Sequence, residues 1–400
     1  MTAGPRPVAD LPASDANSGA AQGPRRILVS GYFGFGNTGD EAILAALASL
    51  VSQVAPDARL VALSADPVGT RQLGIDAVQR LDIPAIWAEL RRASLFISGG
   101  GSLLQDVTGP GSVPYYTGLM ALARLAGTPA IMLGQGVGPL RHGASRHLVG
   151  GVVSRLQAVT VRDEASASLL VACGVPADAI EVTADPVLAL PPAADHVVEG
   201  IWARLGLDPG RPVVAVSLRP WRSWTEQGLK TLSAVLAQTA SDWHAQVLLL
   251  PFHHPDDRWL LDELAQCLAA RPEPQRPPLL MLEDVLSPAE MMGLLKRVDM
   301  VLGMRLHALI MAAAVGTPCV AVVYDPKVEA FARQAGFPAL PSVEAVREAD
   351  ALANLLREAW ATRLEARQVL AAKAEGWRIK ARRNVEVALS VARPGVVRGG

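Results

Sequence analysis

Short apolar runs alternate with stretches of helical period along most of the chain. Residues 26–30 (R-I-L-V-S) form the first run, which enters a glycine-rich loop over 31–40 and then an amphipathic stretch to residue 54. Further strand-like runs stand at 59–63, 95–97, 130–133 and 158–161, with helical stretches at 87–92, 116–125, 145–156 and 164–173. The rhythm breaks at P-V-L-A-L-P-P-A-A-D (186–195), a linker pattern, and then restarts. Strands are predicted at 213–218, 246–251, 279–282, 300–302 and 319–323, and helices at 225–238, 256–269, 288–297 and 306–315. A long Ala/Arg/Glu-rich helical region, 343–392, closes the pattern. Runs of this length and order predict an α/β protein whose parallel sheets are covered by helices on both faces. The expected architecture is two Rossmann-like doubly wound domains facing a cleft, over 26–190 and 196–345. A disordered tail (1–25), a helical region (346–392) and a second tail (393–400) complete it. Ligands of open parallel sheets sit beyond the C-terminal strand ends, so the loops that follow strands are where chemistry is expected.

Composition narrows the class. The 400 residues are 50% hydrophobic, 19% charged and carry a formal net charge of −1, which argues against a nucleic-acid surface. Aromatic residues make up only 4%, too few for a surface that stacks on bases or sugars. Cys173, Cys267 and Cys319 stand far apart with no C-x-x-C or Cys/His cluster, so neither a zinc site nor a disulfide framework is expected. A reducing, cytoplasmic setting fits, since residues 1–25 lack a signal-like apolar core and no apolar run reaches bilayer length. There are 32 arginines and only 5 lysines, which makes a lysine inside a motif conspicuous.

Four glycine-rich or polar loops follow successive strands. In G-Y-F-G-F-G-N-T-G-D-E (31–41), Gly36, Asn37 and Asp40 can face a ligand at a helix N-terminus, or Asp40 can simply cap the helix. S-G-G-G-S-L-L-Q-D (98–106) places Gly99, Gly100 and Gly101 where a backbone must pass close to something. Gln135 lies in G-Q-G-V-G-P-L (134–140), with Arg141, His142 and Arg146 just beyond, and Arg162 lies in V-R-D-E-A-S (161–166). In the second half, Arg219 and the pair His253–His254 follow strands, His254 being read as a hydrogen-bonding cleft residue. The sharpest signal is G-M-R-L-H-A-L-I (303–310): Arg305 and His307 at the junction of an apolar strand and a very apolar helix are expensive to bury unpaired. They can form a satisfied core pair, or an arginine fork for a carboxylate or phosphate beside a proton-exchanging imidazole. Lys327, in Y-D-P-K-V, follows the next strand along the same edge.

Segments 31–44, 98–106, 134–140, 161–166, A-D-P-V-L (184–188), 304–310 and 324–328, in that order, make the chain resemble the polysaccharide pyruvyltransferase family, in its CsaB-like branch. The resemblance implies a GT-B-like fold and transfer of a pyruvyl group from phosphoenolpyruvate to a sugar, forming a ketal. In that branch the acceptor is a lipid-diphosphate-linked disaccharide of a secondary cell-wall polymer, with N-acetylmannosamine as the sugar modified. The ketal is then recognised in surface-layer anchoring. The family's catalytic residues carry over onto Arg305, His307 and Lys327, and its N-terminal arginine onto Arg146, ahead of Arg141 and Arg162. Phosphoenolpyruvate is expected on the C-terminal domain and the acceptor on the N-terminal one, with no metal and no separate cofactor. Basic residues Arg378, Lys380, Arg382 and Arg383 suit peripheral contact with an anionic membrane, or a solvated helix face. A sugar-nucleotide glycosyltransferase or epimerase of the same architecture, and a non-catalytic glycan-binding protein, are the competing readings.

Overall fold

The computed structural model describes residues 25–394 apart from 108, 110, 274 and 275. Of the two expected tails only Arg25, Arg393 and Pro394 lie among the described residues. Seven strands make the first sheet: β1 (Arg26–Phe33), β2 (Arg59–Ser64), β3 (Asp76–Gln79), β4 (Leu95–Gly99), β5 (Ala130–Gln135), β6 (Ala158–Val161) and β7 (Ile180–Val182). Six make the second: β8 (Val213–Ser217), β9 (Gln246–Leu249), β10 (Leu279–Met281), β11 (Met300–Gly303), β12 (Cys319–Val322) and β13 (Ala339–Leu340). Their orders are β3-β2-β1-β4-β5-β6-β7 and β10-β9-β8-β11-β12-β13, and neighbouring strands are parallel throughout. Both orders reverse beside their first strand, so the loops leaving β1 and β4, and those leaving β8 and β11, diverge and open a crevice. The two crevices face each other. This is the expected doubly wound α/β, GT-B-like arrangement.

The central strands are apolar on both faces, as parallel strands between helical layers must be; β4, β5, β8, β9, β11 and β12 are buried along their whole length. Three apolar clusters result. Two are the outer layers of the halves, centred on Phe96 and Met120 in the first and on Val216 and Leu261 in the second. The third runs through both halves, from Ile27 and Leu47 to Leu309 and Val385. The helix Thr38–Val54 sits in that shared layer and packs against the helices Pro288–Arg297 and Leu306–Ala314 of the second half.

Three strands absent from the sequence reading, β3, β7 and β13, are two to four residues long and lie at or beside sheet edges, where partial exposure removes the apolar run that marks a central strand. The segment 186–195 does carry the chain from one sheet to the other. It begins as a buried 3-10 turn, Pro186–Ala189, rather than as an exposed connection. The closing helical region divides in two. Ala349–Ala361 packs on the second half, and the 28-residue helix Arg363–Ser390 returns to the first. Asn384, fully buried on this helix, accepts from the Thr160 and Thr183 hydroxyls at 2.6 and 2.7 Å and donates to the Ala184 carbonyl at 2.9 Å. Three of the four basic residues on its outer face have acidic partners: Arg378 with Glu375, Arg382 with Glu386, and Arg383 with Glu181 and Glu386. No helix among the described residues is long and apolar enough to cross a membrane.

Candidate active site

The facing crevices enclose a cavity of about 650 Å³. Its wall takes Asn37, Asp40, Gly101 and Arg162 from the first half and Arg219, His253, Arg305, His307 and Lys327 from the second. Nine positions separated by up to 290 residues converge because each follows a strand: β1, β4 or β6 in the first sheet, and β8, β9, β11 or β12 in the second.

The N-terminal loop is built first. Asn37 caps the helix Thr38–Val54 by accepting the Gly39 N–H at 3.0 Å, so the capping role expected of Asp40 falls to Asn37. The Thr38 N–H donates to the Phe252 carbonyl and the His254 N–H to the Gly36 carbonyl, which ties the loops after β1 and β9 together across the two halves. His253 continues this tie: Nε2 lies 3.2 Å from the Phe35 carbonyl and Nδ1 lies 3.1 Å from Asp256 Oδ2. Gly39 passes directly against His307. A Cβ there would stand 2.2 Å from the His307 Nδ1, a contact only glycine avoids.

Arg305 ends its strand-to-helix turn with Nε donating to both Asp257 oxygens at 3.1 and 3.0 Å and Nη2 donating to Oδ1 as well. Asp257 is wholly buried and also accepts the Phe252 and His253 N–H groups, so the pair is a satisfied buried fork. Arg219 has no such acid: among the described residues its guanidinium donates to the Tyr324 hydroxyl at 3.0 Å and lies over the Tyr324 and Trp221 rings. Lys327 stands 3.7 Å from Asp325, the residue that caps its helix, and keeps 30% of its side chain exposed. The helix Leu306–Ala314 has no side-chain cap, so its first-turn N–H groups are offered at the same edge.

Asp185, at the crossing between the halves, joins the two sides. Arg162 Nη1 donates to its Oδ2 at 3.0 Å, and His307 Nε2 stands 3.7 Å from the same oxygen with no hydrogen-bond partner among the described residues. Burial pushes the Asp185 carboxyl up, but His307, Arg162 and the Val187 N–H outweigh it and leave it lowered to about 2. Arg162 also donates to Ser102 Oγ at 3.1 Å, and it passes over Gly136, where a Cβ would stand 2.5 Å from its Nη2. This close passage accounts for the middle glycine of G-Q-G-V-G.

Several expected residues stay out of the cavity wall. Arg146 is exposed on the helix Gly143–Val153, its Nε donating to the Leu140 carbonyl at 2.8 Å. Asp106 accepts the Arg141 and His142 N–H groups and holds that whole turn on the outside. The N-terminal arginine brought to His307 is therefore Arg162. Gly99 and Gly100 pack under the loop against Leu47 and Ile43. Gln135 is buried beneath it, donating to Ser98, and Gly36 and His254 contribute backbone contacts rather than wall. The sequence reading assigned no role to Asp185, Asp257, Gly39 or Tyr324. Gly39, Asp185 and Tyr324 lay in segments that carried the resemblance, 31–44, 184–188 and 324–328, but as single residues they carried no signal of their own.

Residues 37–326 match the polysaccharide pyruvyl transferase family. Amylovoran biosynthesis protein AmsJ of Erwinia amylovora is 23% identical over 267 residues, 64% of this chain and 62% of that protein, so the match spans less than two thirds of that relative's length. Among solved structures, Anabaena Alr3699/HepE in complex with UDP-glucose superposes with a TM-score of 0.60 at 14% identity, covering 91% of this chain and 99% of that one. UDP-GlcNAc 2-epimerase from Neisseria meningitidis bound to UDP-GlcNAc gives 0.61 at 15% identity, covering 91% and 100%. These two likenesses are of fold. The family match runs through both sheets, from the Asn37 that caps the first cavity helix to the Pro326 beside Lys327, and the chain belongs to the polysaccharide pyruvyl transferase family.

Proposed function

We propose that the cavity transfers the pyruvyl group of phosphoenolpyruvate to two hydroxyls of one sugar, giving a pyruvate ketal and inorganic phosphate. The observation that carries this reading is His307, its Nε2 buried 3.7 Å from Asp185 with no hydrogen-bond partner among the described residues, in a wall that also holds Arg162, Arg219, Arg305 and Lys327. A donor with a carboxylate and a phosphate needs clustered cations rather than apolar walls. Arg219, Lys327 and the uncapped N–H groups after Arg305 hold the two anionic groups. Arg305, fixed by Asp257, sets the shape of that edge. His307 delivers a proton to the methylene carbon, which leaves the central carbon open to attack by a hydroxyl. Loss of phosphate and attack by a second hydroxyl close the ring.

The acceptor belongs on the N-terminal side, against the loops at 31–40 and 101–106. The CsaB-like resemblance supports N-acetylmannosamine in a lipid-diphosphate-linked disaccharide of a secondary cell-wall polymer, whose ketal serves surface-layer anchoring. A lipid-linked acceptor would bring the enzyme to a membrane surface, although acidic neighbours leave the last helix a weaker attachment face than its sequence suggested.

A panel of three variants tests the assignment by phosphate release from phosphoenolpyruvate in the presence of that disaccharide. His307→Ala and Arg162→Ala are expected to lose about 10²–10⁴-fold in turnover. Arg146→Ala is expected to retain it. Full activity in His307→Ala, or loss in Arg146→Ala with Arg162→Ala active, contradicts the site described.

A further inference from the structure

Among the described residues, Asp40 is the one carboxylate set directly into the cavity wall from the first half. It is 9% exposed, and no described N–H or O–H donates to it, because Asn37 takes the capping bond and Glu41 takes the Gly34 N–H at 2.7 Å. Space has been cleared beside it. A Cβ at Gly101, whose φ is +68°, would stand 2.8 Å from Asp40 Oδ1, so glycine there keeps the oxygen open. Its neighbour Gly39 lies on the His307 ring, so Asp40 and His307 share one end of the cavity. The charged and titratable groups around it are His307, His253 and Lys327 from the second half, Asp185 from the crossing, Tyr32 and Glu41 from its own loop and helix, and Tyr116 from the helix Ser112–Leu125. Burial raises its proton affinity; Asp185 adds to this, while His307, His253 and Lys327 oppose it. A buried carboxylate without donors is costly, and the favourable place of Asp40 in the first turn of its helix offsets only part of that cost.

We propose that Asp40 is the second proton-transfer residue of the reaction, acting on the acceptor hydroxyl while His307 acts on the donor. The inference rests on the pyruvyl-transfer reading above. In the first half-reaction His307 gives a proton to the methylene carbon, the first hydroxyl oxygen bonds to the central carbon, and Asp40 takes that hydroxyl's proton. In the second, the bond from the central carbon to the phosphate oxygen breaks and Asp40 returns its proton to the departing phosphate. The second hydroxyl then bonds to the same carbon and gives its proton to His307. Each residue ends as it began, and the products are the ketal and hydrogen phosphate.

The test compares wild type with Asp40→Asn, using phosphoenolpyruvate and a synthetic lipid-diphosphate-linked disaccharide containing N-acetylmannosamine. Asp40→Asn is expected to lose about 10²–10⁴-fold in kcat. Its affinity for phosphoenolpyruvate by calorimetry should stay within about threefold, and its melting temperature at neutral pH should equal or exceed that of wild type. Turnover within about threefold of wild type overturns this proposal alone. A variant several degrees less stable shows Asp40 to be structural and overturns it as well. Wild-type protein without any turnover overturns the pyruvyl-transfer reading and this inference with it.

Discussion

Arg305 and His307 stood out in the sequence because charged residues interrupt an otherwise apolar strand-turn-helix, and Lys327 because lysines are scarce; the cavity does gather all three. What the local pattern could not convey is which charges are already spent. Arg305 looks like a free fork until Asp257, 48 positions away, is found inside it. Arg162 and Arg146 look alike until Asp106 pins one turn outward and Gly136 lets the other guanidinium pass inward. Buried acids have consequences for stability as well as for chemistry. Burial raises the Glu41 carboxyl to about 7, with the Gly34 N–H opposing and Asp40 adding. A folded-state value above the unfolded one means that the native state holds its proton longer, so stability is lost as pH rises from about 4.5 through about 7. Glu41→Gln removes that penalty. Its unfolding free energy is expected to exceed that of wild type by about 2–3 kcal/mol at pH 8, with a much smaller gap at pH 5. Chemical denaturation at both values checks this, and an equal gap at both values contradicts it.

At the scale of elements, the central strands were legible because burial on both faces makes them apolar throughout. The edge strands β3, β7 and β13 were not, being short and partly solvated. The last helix was legible as a helix, but its destination was not. Besides apolar contacts and the Arg383–Glu181 pair, its attachment to the first half uses Asn384, a buried polar residue whose partners Thr160 and Thr183 lie more than 200 positions away. Asn384→Ala leaves two buried hydroxyls and the Ala184 carbonyl without this partner, at an expected cost of about 2–4 kcal/mol by denaturant unfolding. Because Ala184 precedes Asp185, turnover should fall as well. Unchanged stability would show that the helix is held by its other contacts, apolar and ionic.

The whole molecule places its cavity where two reversed strand orders face each other, and one apolar layer continues through both halves behind it. The first helix belongs to that layer and carries Asp40 and Gly39 into the cavity, so the packing that holds the halves together also positions the groups at its far wall. The near-zero net charge of the chain conceals a local arrangement: in and behind the wall Arg162, Arg305 and Lys327 stand against Asp185, Asp257 and Asp325, and Arg219 has no acidic partner among the described residues. The shared fold by itself says nothing of the ligand, so it is these side chains that must be tested against one. The most direct measurement is mass spectrometry of the lipid-linked disaccharide after incubation with wild-type protein and phosphoenolpyruvate, alongside UDP-N-acetylglucosamine as the competing donor. The account predicts addition of a pyruvate ketal with release of one phosphate per ketal, and no reaction with the nucleotide sugar. An acceptor unchanged by phosphoenolpyruvate but extended from the nucleotide sugar would contradict it.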